Sequence, residues 1–164
     1  MFSERLIKFL KKEKAYLDMK DPDFYMIYYH AHEAFLNGQL WAQEIGQMTD
    51  YFDMRGYDPL ISTTPFVPAY YLNNTERINI FDIPEGVEII FDGAFSSTNL
   101  TYISIPKSVK KINSLAFANN DDLGRIEYKG TINDWKKISI GERAFSSIMA
   151  KHIQCIDGDI RLPL

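Results

Sequence analysis

Residues 83–95 read IPEGVEIIFDGAF, and residues 105–117 read IPKSVKKINSLAF. Both stretches carry Ile-Pro, then Val, then Ile and finally Ala-Phe at the same positions, 22 residues apart. A third, less regular copy ends in Ala144-Phe145, and the same Ser-Ser pair follows both Phe95 and Phe145. A fixed period in this range indicates a repeat architecture, in which each copy buries its apolar side chains against its neighbours.

Short alternating segments accompany these copies. Residues 78–80, 103–105 and 126–128 alternate apolar and polar side chains, as short β-strands do. One short strand per repeat of about 22 residues is typical of leucine-rich-repeat-type solenoids. The whole pattern, over about residues 78–160, resembles the BspA-like subclass of leucine-rich repeats. The resemblance implies a β-solenoid, a scaffold that works by contact and not by chemistry.

The repeated positions predict the interior of this solenoid. Val87, Ile90, Ala94 and Phe95 are expected to point inward and to stack on their counterparts in the next copy. The second copy contains one extra residue within 119–122, which we expect in an outer loop.

The first third of the chain has helical spacing instead. Ser3 is a candidate N-cap for a first helix that continues to Leu17. Asp21-Pro22 indicates the start of a second helix, with proline at its first position, and Asn37-Gly38 indicates its end. A third helix is predicted over about residues 39–54.

These patterns predict an α+β fold, in which an N-terminal helical domain caps a short leucine-rich-repeat-type β-solenoid. We expect about three helices over residues 1–60, an irregular connector over 61–77, and the repeats with a C-terminal cap over 78–164. Two and a half repeats are marginal, because about three are needed for stability and both ends need covers. We therefore expect the helices to pack on the first repeat, and Trp135 and strand 152–155 to close the other end.

Composition narrows the class of protein. The single cysteine, Cys155, excludes an internal disulfide, and no apolar run reaches the ~20 residues of a membrane helix. Charges interrupt the N-terminal segment every few residues, so it does not read as a signal peptide. We therefore predict a cytoplasmic protein, in the host cytoplasm if a phage encodes it, with no membrane partner.

The sequence contains no recognisable catalytic motif. His30 and His32 would point to different faces of one helix, and the Asp157-Gly158-Asp159 stretch reads as a tight polar turn. We accordingly predict no enzyme activity, no catalytic residue, no metal site and no cofactor. The chain has a net charge of −4, which argues against direct nucleic-acid binding.

An acidic and aromatic stretch offers candidate contacts with a partner. Residues 21–60 carry one basic and seven acidic side chains, a net charge of −6. Within the stretch, Met48, Tyr51 and Phe52 resemble the short peptides that fill the pocket of replication sliding clamps, although Ile45 stands where those peptides have Gln. The same three residues also fit the core-facing stripe of an ordinary helix. The candidate contact residues are Asp21, Asp23, Glu33, Glu44, Met48, Asp50, Tyr51, Phe52 and Asp53.

Three functional hypotheses follow. The first is a non-catalytic protein-binding module; its narrower form is a phage or mobile-element inhibitor of a host DNA-handling protein with a basic surface, such as the sliding clamp. The second is a bacterial surface-type adhesion or structural protein. The third is a small enzyme with a site in the groove between helices and repeats. A homodimer that covers the last, unpaired strand is a further expectation.

Overall fold

The computed structural model describes residues 2–20, 22–53, 66–68, 71 and 79–162. The N-terminal part consists of four helices, α1 (Glu4–Lys12), α2 (Lys14–Leu17), α3 (Phe24–Leu36) and α4 (Ala42–Asp53). Ser3 caps α1 as predicted, because its hydroxyl accepts a hydrogen bond from the Leu6 N–H. Within the described ranges, no helix has the length and apolar character that crossing a membrane requires.

Two helix boundaries differ from the prediction. The first helix is divided at Glu13, where the backbone N–H bonds to carbonyls of the last α1 turn and α2 then begins. Helix α3 begins after Asp23 and not at Pro22, because the Asp23 carboxylate accepts the Met26 N–H at 3.1 Å and serves as the N-cap. Asp21 lies outside the described residues. Asn37 and Gly38, with φ +75°, end α3 as predicted.

The described residues from Phe66 onward form a β-solenoid with two strands per turn. One parallel sheet has the order β1-β3-β5-β7 and the other the order β2-β4-β6-β8, to which β9 adds in antiparallel orientation. The strands are β1 (Phe66–Val67), β2 (Ile80–Asp82), β3 (Ile89–Ile90), β4 (Tyr102–Ile105), β5 (Lys111–Ile112), β6 (Arg125–Tyr128), β7 (Ser139–Ile140), β8 (His152–Cys155) and β9 (Gly158–Arg161). A short helix, α5 (Ile132–Lys136), lies between β6 and β7.

The strands correct the prediction in three places. The sequence indicated one strand per repeat, and the two-residue strands of the second sheet were missed. Strand β2 covers Ile80–Asp82, where the 22-residue register pairs Phe81 with Ile103, and Ile78, the predicted start, lies outside the described residues. Strand β1 lies inside the segment that was expected to be an irregular connector, and it pairs with β3. The boundaries 1–60, 61–77 and 78–164 themselves stay a prediction.

The interior of the solenoid is the predicted ladder of repeated side chains. Val87, Ile90, Ala94 and Phe95 are all buried, as are their counterparts one turn later. The Phe95 and Phe117 rings stack with centroids 5.4 Å apart, and Phe117 and Phe145 continue the stack at 5.2 Å. Side chains of the same size therefore stack on each other in successive turns, and this allows dense packing although each turn buries few residues.

A buried asparagine joins two neighbouring turns. The Asn120 Oδ1 accepts hydrogen bonds from the Thr98 N–H, the Thr98 hydroxyl and the Leu100 N–H at 3.0 to 3.2 Å. Its Nδ2 lies within donating distance of the carbonyls of Phe95, Phe117 and Ala118. The sequence predicted an outer loop for the one extra residue within 119–122; in this segment Asn120 is 1% exposed, because these backbone groups need a buried partner.

Helices and solenoid meet at the first repeat. Ile89 and Phe91 flank the inward-facing Ile90, and both pack against the buried side chains of the helices. The Phe91 ring lies 3.6 Å from the His32 ring, centroid to centroid. The predicted cap on the first repeat is therefore present, and it contacts side chains that point away from the solenoid interior.

Helix α5 and the β8–β9 hairpin cover part of the C-terminal end, and a cleft of about 530 Å³ lined by Phe145, Ile148 and Leu162 among others remains at the last turn. Trp135 of α5 is buried and lies edge-on to Tyr128, 5.2 Å between ring centroids. Thr131 and Asp134 form a reciprocal capping box at the start of α5. The Asp157 carboxylate in the hairpin turn accepts the Ile132 N–H at 2.9 Å, so the predicted polar turn also binds the end of this helix.

Candidate functional site

The outer surface of the five-stranded sheet is the main candidate site. Alternate side chains of its strands point inward, where Ile103, Ile126 and Ile153 are fully buried. The remaining side chains point outward. They form the surface that we call the strand face.

The strand face consists of two rows that run across the strands. The strand register places Ile80 beside Tyr102, Tyr102 beside Arg125, Glu127 beside Gln154 and Gln154 beside Asp159. The first row is Ile80, Tyr102, Arg125, His152 and Arg161. The second row is Asp82, Ser104, Glu127, Gln154 and Asp159, of which Ser104 is fully buried and does not contribute to the exposed surface. Both arginines lie in the first row and all three carboxylates in the second, so the charges are separated into two stripes.

The centre of the strand face is held by a network of side chains. The Tyr102 hydroxyl donates a hydrogen bond to Glu127 Oε2 at 2.6 Å. Arg125 pairs with Glu127, donates from Nε to Gln154 Oε1 at 3.1 Å, and lies 5.6 Å from the centroid of the Tyr102 ring. These contacts restrict the rotamers of two large side chains on the surface of a rigid sheet.

The electrostatics of the network favour an ionised Glu127. The hydrogen bond from Tyr102 and the charge of Arg125 lower the pKa of Glu127. The same hydrogen bond raises the pKa of Tyr102, because the carboxylate disfavours a second negative charge beside it. Near neutral pH the centre therefore consists of a neutral phenol, a carboxylate and a guanidinium, which suits hydrogen bonding and ion pairing with a partner.

A cleft among the helices is a second candidate site. A cleft of about 520 Å³ is lined by residues of α1 and α3 and of the turn that follows α3. Two of its lining side chains contact carboxylates: the Arg5 Nε lies 3.0 Å from Glu44, and the His30 Nδ1 lies 2.9 Å from the buried Glu13 carboxylate. His32 lies elsewhere, buried against Phe91, so the two histidines do not converge on one site.

Cys155 has no features of a reactive thiol. It is half-buried in β8, and burial together with Asp157 and Asp159 raises its pKa.

The candidate contact residues that the sequence indicated differ in their exposure to solvent. Met48 and Phe52 are buried in the helical core. Glu44 is also buried, and its carboxylate accepts hydrogen bonds from the Ser3 hydroxyl, the Arg5 Nε and the Trp41 N–H. These three side chains therefore stabilise the fold and are not available to a partner in this conformation. Asp23 is the N-cap of α3, as described above.

The other candidates fall into two groups. Glu33, Asp50 and Tyr51 are exposed, and the Tyr51 ring lies 5.1 Å from Phe2. Asp21 and the side chain of Asp53 lie outside the described part of the chain. The proposal of a contact surface on the helices thus rests on the exposed residues of α3 and α4.

Reasoning from sequence missed the strand face. The signal was present in the polar positions of the alternating segments, because Ser104 and Glu127 fall in one column when the strands are aligned. Strand β9 had no such signal, since it leaves the repeat and turns back antiparallel.

Comparisons with known proteins agree with the geometry. The family model described as BspA type leucine rich repeat region (6 copies) matches residues 62–159, and it thus begins upstream of the first repeat that was evident in the sequence. Searches of curated proteins and of solved structures found no significant match. The stacked ladder, the parallel strands of each turn and the family match lead to one conclusion: the chain belongs to the BspA-type leucine-rich repeat family.

Proposed function

We propose that this chain is a non-catalytic protein-binding module and that its strand face contacts the partner protein. Leucine-rich repeats form interaction or structural modules, and solenoid sheets offer extended, rigid surfaces for binding. The observation that carries the proposal is the network of Tyr102, Arg125 and Glu127, which holds large side chains in place on outward positions. Side chains that are ordered before binding lose less conformational entropy in a complex.

The residue types on the strand face are those of an interface centre. Tyrosine and arginine are enriched among the residues that dominate binding energy. Ile80, which is 66% exposed at one end of the first row, adds apolar surface. A complementary partner would present acidic groups opposite Arg125 and Arg161 and basic groups opposite Asp82 and Asp159.

The narrower hypothesis of an inhibitor that occupies a DNA-handling protein draws no support from these positions. A mimic of DNA needs a uniformly negative surface, whereas the strand face alternates basic and acidic rows. The clamp-like segment lies in α4, where Ile45, Met48 and Phe52 are buried, so a clamp would have to unfold this helix to bind them. We therefore leave the identity of the partner open and propose its chemistry only.

The other hypotheses lead to different partners or ligands. An adhesion or structural role would use the same rigid surface, so the identity of the bound protein distinguishes it from an intracellular binding role. An enzyme would need a reactive group in the groove between helices and repeats, and in the described residues His32 and Phe91 pack against each other at this boundary, 3.6 Å between ring centroids. Repeats of this family typically serve as non-catalytic modules.

Site-specific photocrosslinking tests the proposal. A photoreactive residue at position 82 reports on the strand face, and one at position 111 reports on the outer surface of the other sheet, where Lys111 is exposed. We expect one protein from a lysate of the source organism to crosslink at 82 and not at 111. After purification of that protein, we expect Arg125→Glu to weaken binding by about tenfold or more.

Lys111→Glu is the matched control, because it makes the same change of charge on the other sheet. We expect this variant to bind within about twofold of the unmodified chain. Equal crosslinking at both positions, or equal affinity of the two variants, would count against the strand face as the binding surface.

A further inference from the structure

Strand β9 leaves an open edge on the five-stranded sheet. In the described part of the chain β9 is the last strand of that sheet and pairs only with β8. Asp159 and Arg161 are exposed, and Ile160 between them is half-buried against the core. An open edge carries backbone N–H and C=O groups that another strand can pair with.

The register of the hairpin identifies the backbone groups at this edge. Cys155 pairs with Gly158 and Ile153 with Ile160, and the Leu162 N–H donates to the Lys151 carbonyl at 2.8 Å. Hydrogen-bonded pairs alternate along an antiparallel ladder, so residues 158, 160 and 162 bond toward β8. The N–H and C=O groups of Asp159 and Arg161 consequently point toward the open edge.

We propose that two copies of this chain pair through β9 as an antiparallel, two-fold symmetric dimer centred on Ile160. In this register Asp159 of each copy lies opposite Arg161 of the other copy. The four N–H and C=O groups that each copy presents at the edge then form four hydrogen bonds across the interface. The two Ile160 residues face each other at the two-fold axis, as a non-hydrogen-bonded pair.

The charges at the β9 edge favour this register and favour a second copy of the chain as the strand that pairs there. The Asp159 and Arg161 side chains point to the same outer surface of the sheet, opposite Gln154 and His152. Centring on Ile160 therefore places a carboxylate opposite a guanidinium twice. Centring on Asp159 or on Arg161 would place like charges opposite each other. The edge is thus complementary to itself, which is the requirement for an isologous dimer.

The dimer would extend the strand face beyond one molecule. Two five-stranded sheets would join into one, and the basic row of each copy would continue into the acidic row of the other. The interface is short, so we expect a dissociation constant in the micromolar to millimolar range, as is typical of about 1,000 Å² or less of buried surface.

Exchange of the two charges provides a sharp test with the purified chain of 164 residues. We expect sedimentation equilibrium to show a monomer–dimer equilibrium for the unmodified chain. Asp159→Arg and Arg161→Asp should each raise the dimer dissociation constant by about tenfold or more, because like charges then meet twice. The double variant Asp159→Arg/Arg161→Asp should dimerise like the unmodified chain, since it restores both pairs in reverse.

Mixing the two single variants adds a second, independent prediction. Their edges complement each other, so the mixture should form a heterodimer although each variant alone is mainly monomeric. Amide NMR signals of Asp159 and Arg161 should move with concentration more than that of Ile160, whose N–H bonds within the hairpin. Thermal melting of each variant checks that folding is unchanged at these exposed positions.

Several outcomes would overturn the proposal: a monomeric unmodified chain up to about 1 mM, single variants that dimerise as well as the unmodified chain, or a mixture that stays monomeric. The test uses no partner protein. Its failure would therefore leave the strand-face proposal standing, and failure of the crosslinking experiment would leave the dimer standing.

Discussion

At the scale of single residues, His32 shows how a titratable group can be part of an apolar contact. Its side chain is buried between α3 and the first repeat, against Phe91, and its Nδ1 lies 2.7 Å from the Tyr28 carbonyl. Burial lowers its pKa from 6.5 to about 4. The imidazole is therefore neutral near pH 7, and its Nδ1–H donates to the carbonyl.

This shift predicts that stability falls as the pH decreases. The unfolded chain binds a proton at His32 below about pH 6.5, whereas the folded chain does so only near pH 4, so acid favours unfolding in that window. Between pH 7 and pH 5 we expect His32 to account for a loss of about 2 kcal/mol of the free energy of unfolding. Urea denaturation at several pH values measures it.

His32→Gln is the control for this prediction, because glutamine keeps a hydrogen-bond donor but does not titrate. Its stability should depend less on pH than that of the unmodified chain, by the same amount. Parallel pH dependences for the two proteins would show that His32 does not cause the loss.

At the scale of elements, consecutive turns of the solenoid are joined by more than their stacked apolar side chains. Asn120 accepts from Thr98 and Leu100 one turn earlier and donates to backbone carbonyls of both turns. Backbone bonds such as that from the Ser97 N–H to the Ala118 carbonyl also join the turns at this corner. The Thr98 and Leu100 N–H groups instead have the Asn120 Oδ1 as their acceptor.

Replacement of this side chain should be costly. Asn120→Ala leaves the buried N–H groups of Thr98 and Leu100 without their acceptor, at about 1–3 kcal/mol for each group. We expect a loss of about 2–5 kcal/mol in the free energy of unfolding, measured by urea denaturation. Asp121→Ala, at the exposed neighbouring position, should change stability by less than about 0.5 kcal/mol. Similar values for the two variants would contradict this role of Asn120.

The length of the strands explains which of them could be predicted from the sequence. Strands β3, β5 and β7 contain two residues each, and alternation cannot be detected over two residues. The four-residue strands β4 and β6 were recognised because their inward and outward positions alternate long enough to form a pattern.

At the scale of the whole molecule, the helices and the solenoid depend on each other. The few turns of the solenoid bury a small core, and the outward-facing Ile89 and Phe91 would be exposed to water without the helices. The helical core in turn includes Phe91 among its buried members. The two parts therefore share a hydrophobic boundary.

We accordingly expect that residues 62–164, produced without the helices, do not fold cooperatively or remain soluble as a monomer. Circular dichroism during heating and light scattering measure the two properties. The same fragment with Phe91→Ser serves as a comparison, because it removes the largest exposed ring. A soluble fragment with a sharp melting transition would refute the role of the helices as a necessary cap.

The sequence by itself determined the solenoid, its 22-residue register and the identity of its inward side chains. This is because each turn repeats the same volumes at the same positions, and such a pattern can be read from neighbouring copies alone. Only the tertiary structure decided that Met48 and Phe52 belong to the core, that Asn120 is buried, and that β9 ends the sheet. These features depend on groups that are distant in sequence and meet only in the fold. The strand face has the same origin: its rows exist because residues from five strands line up across one sheet.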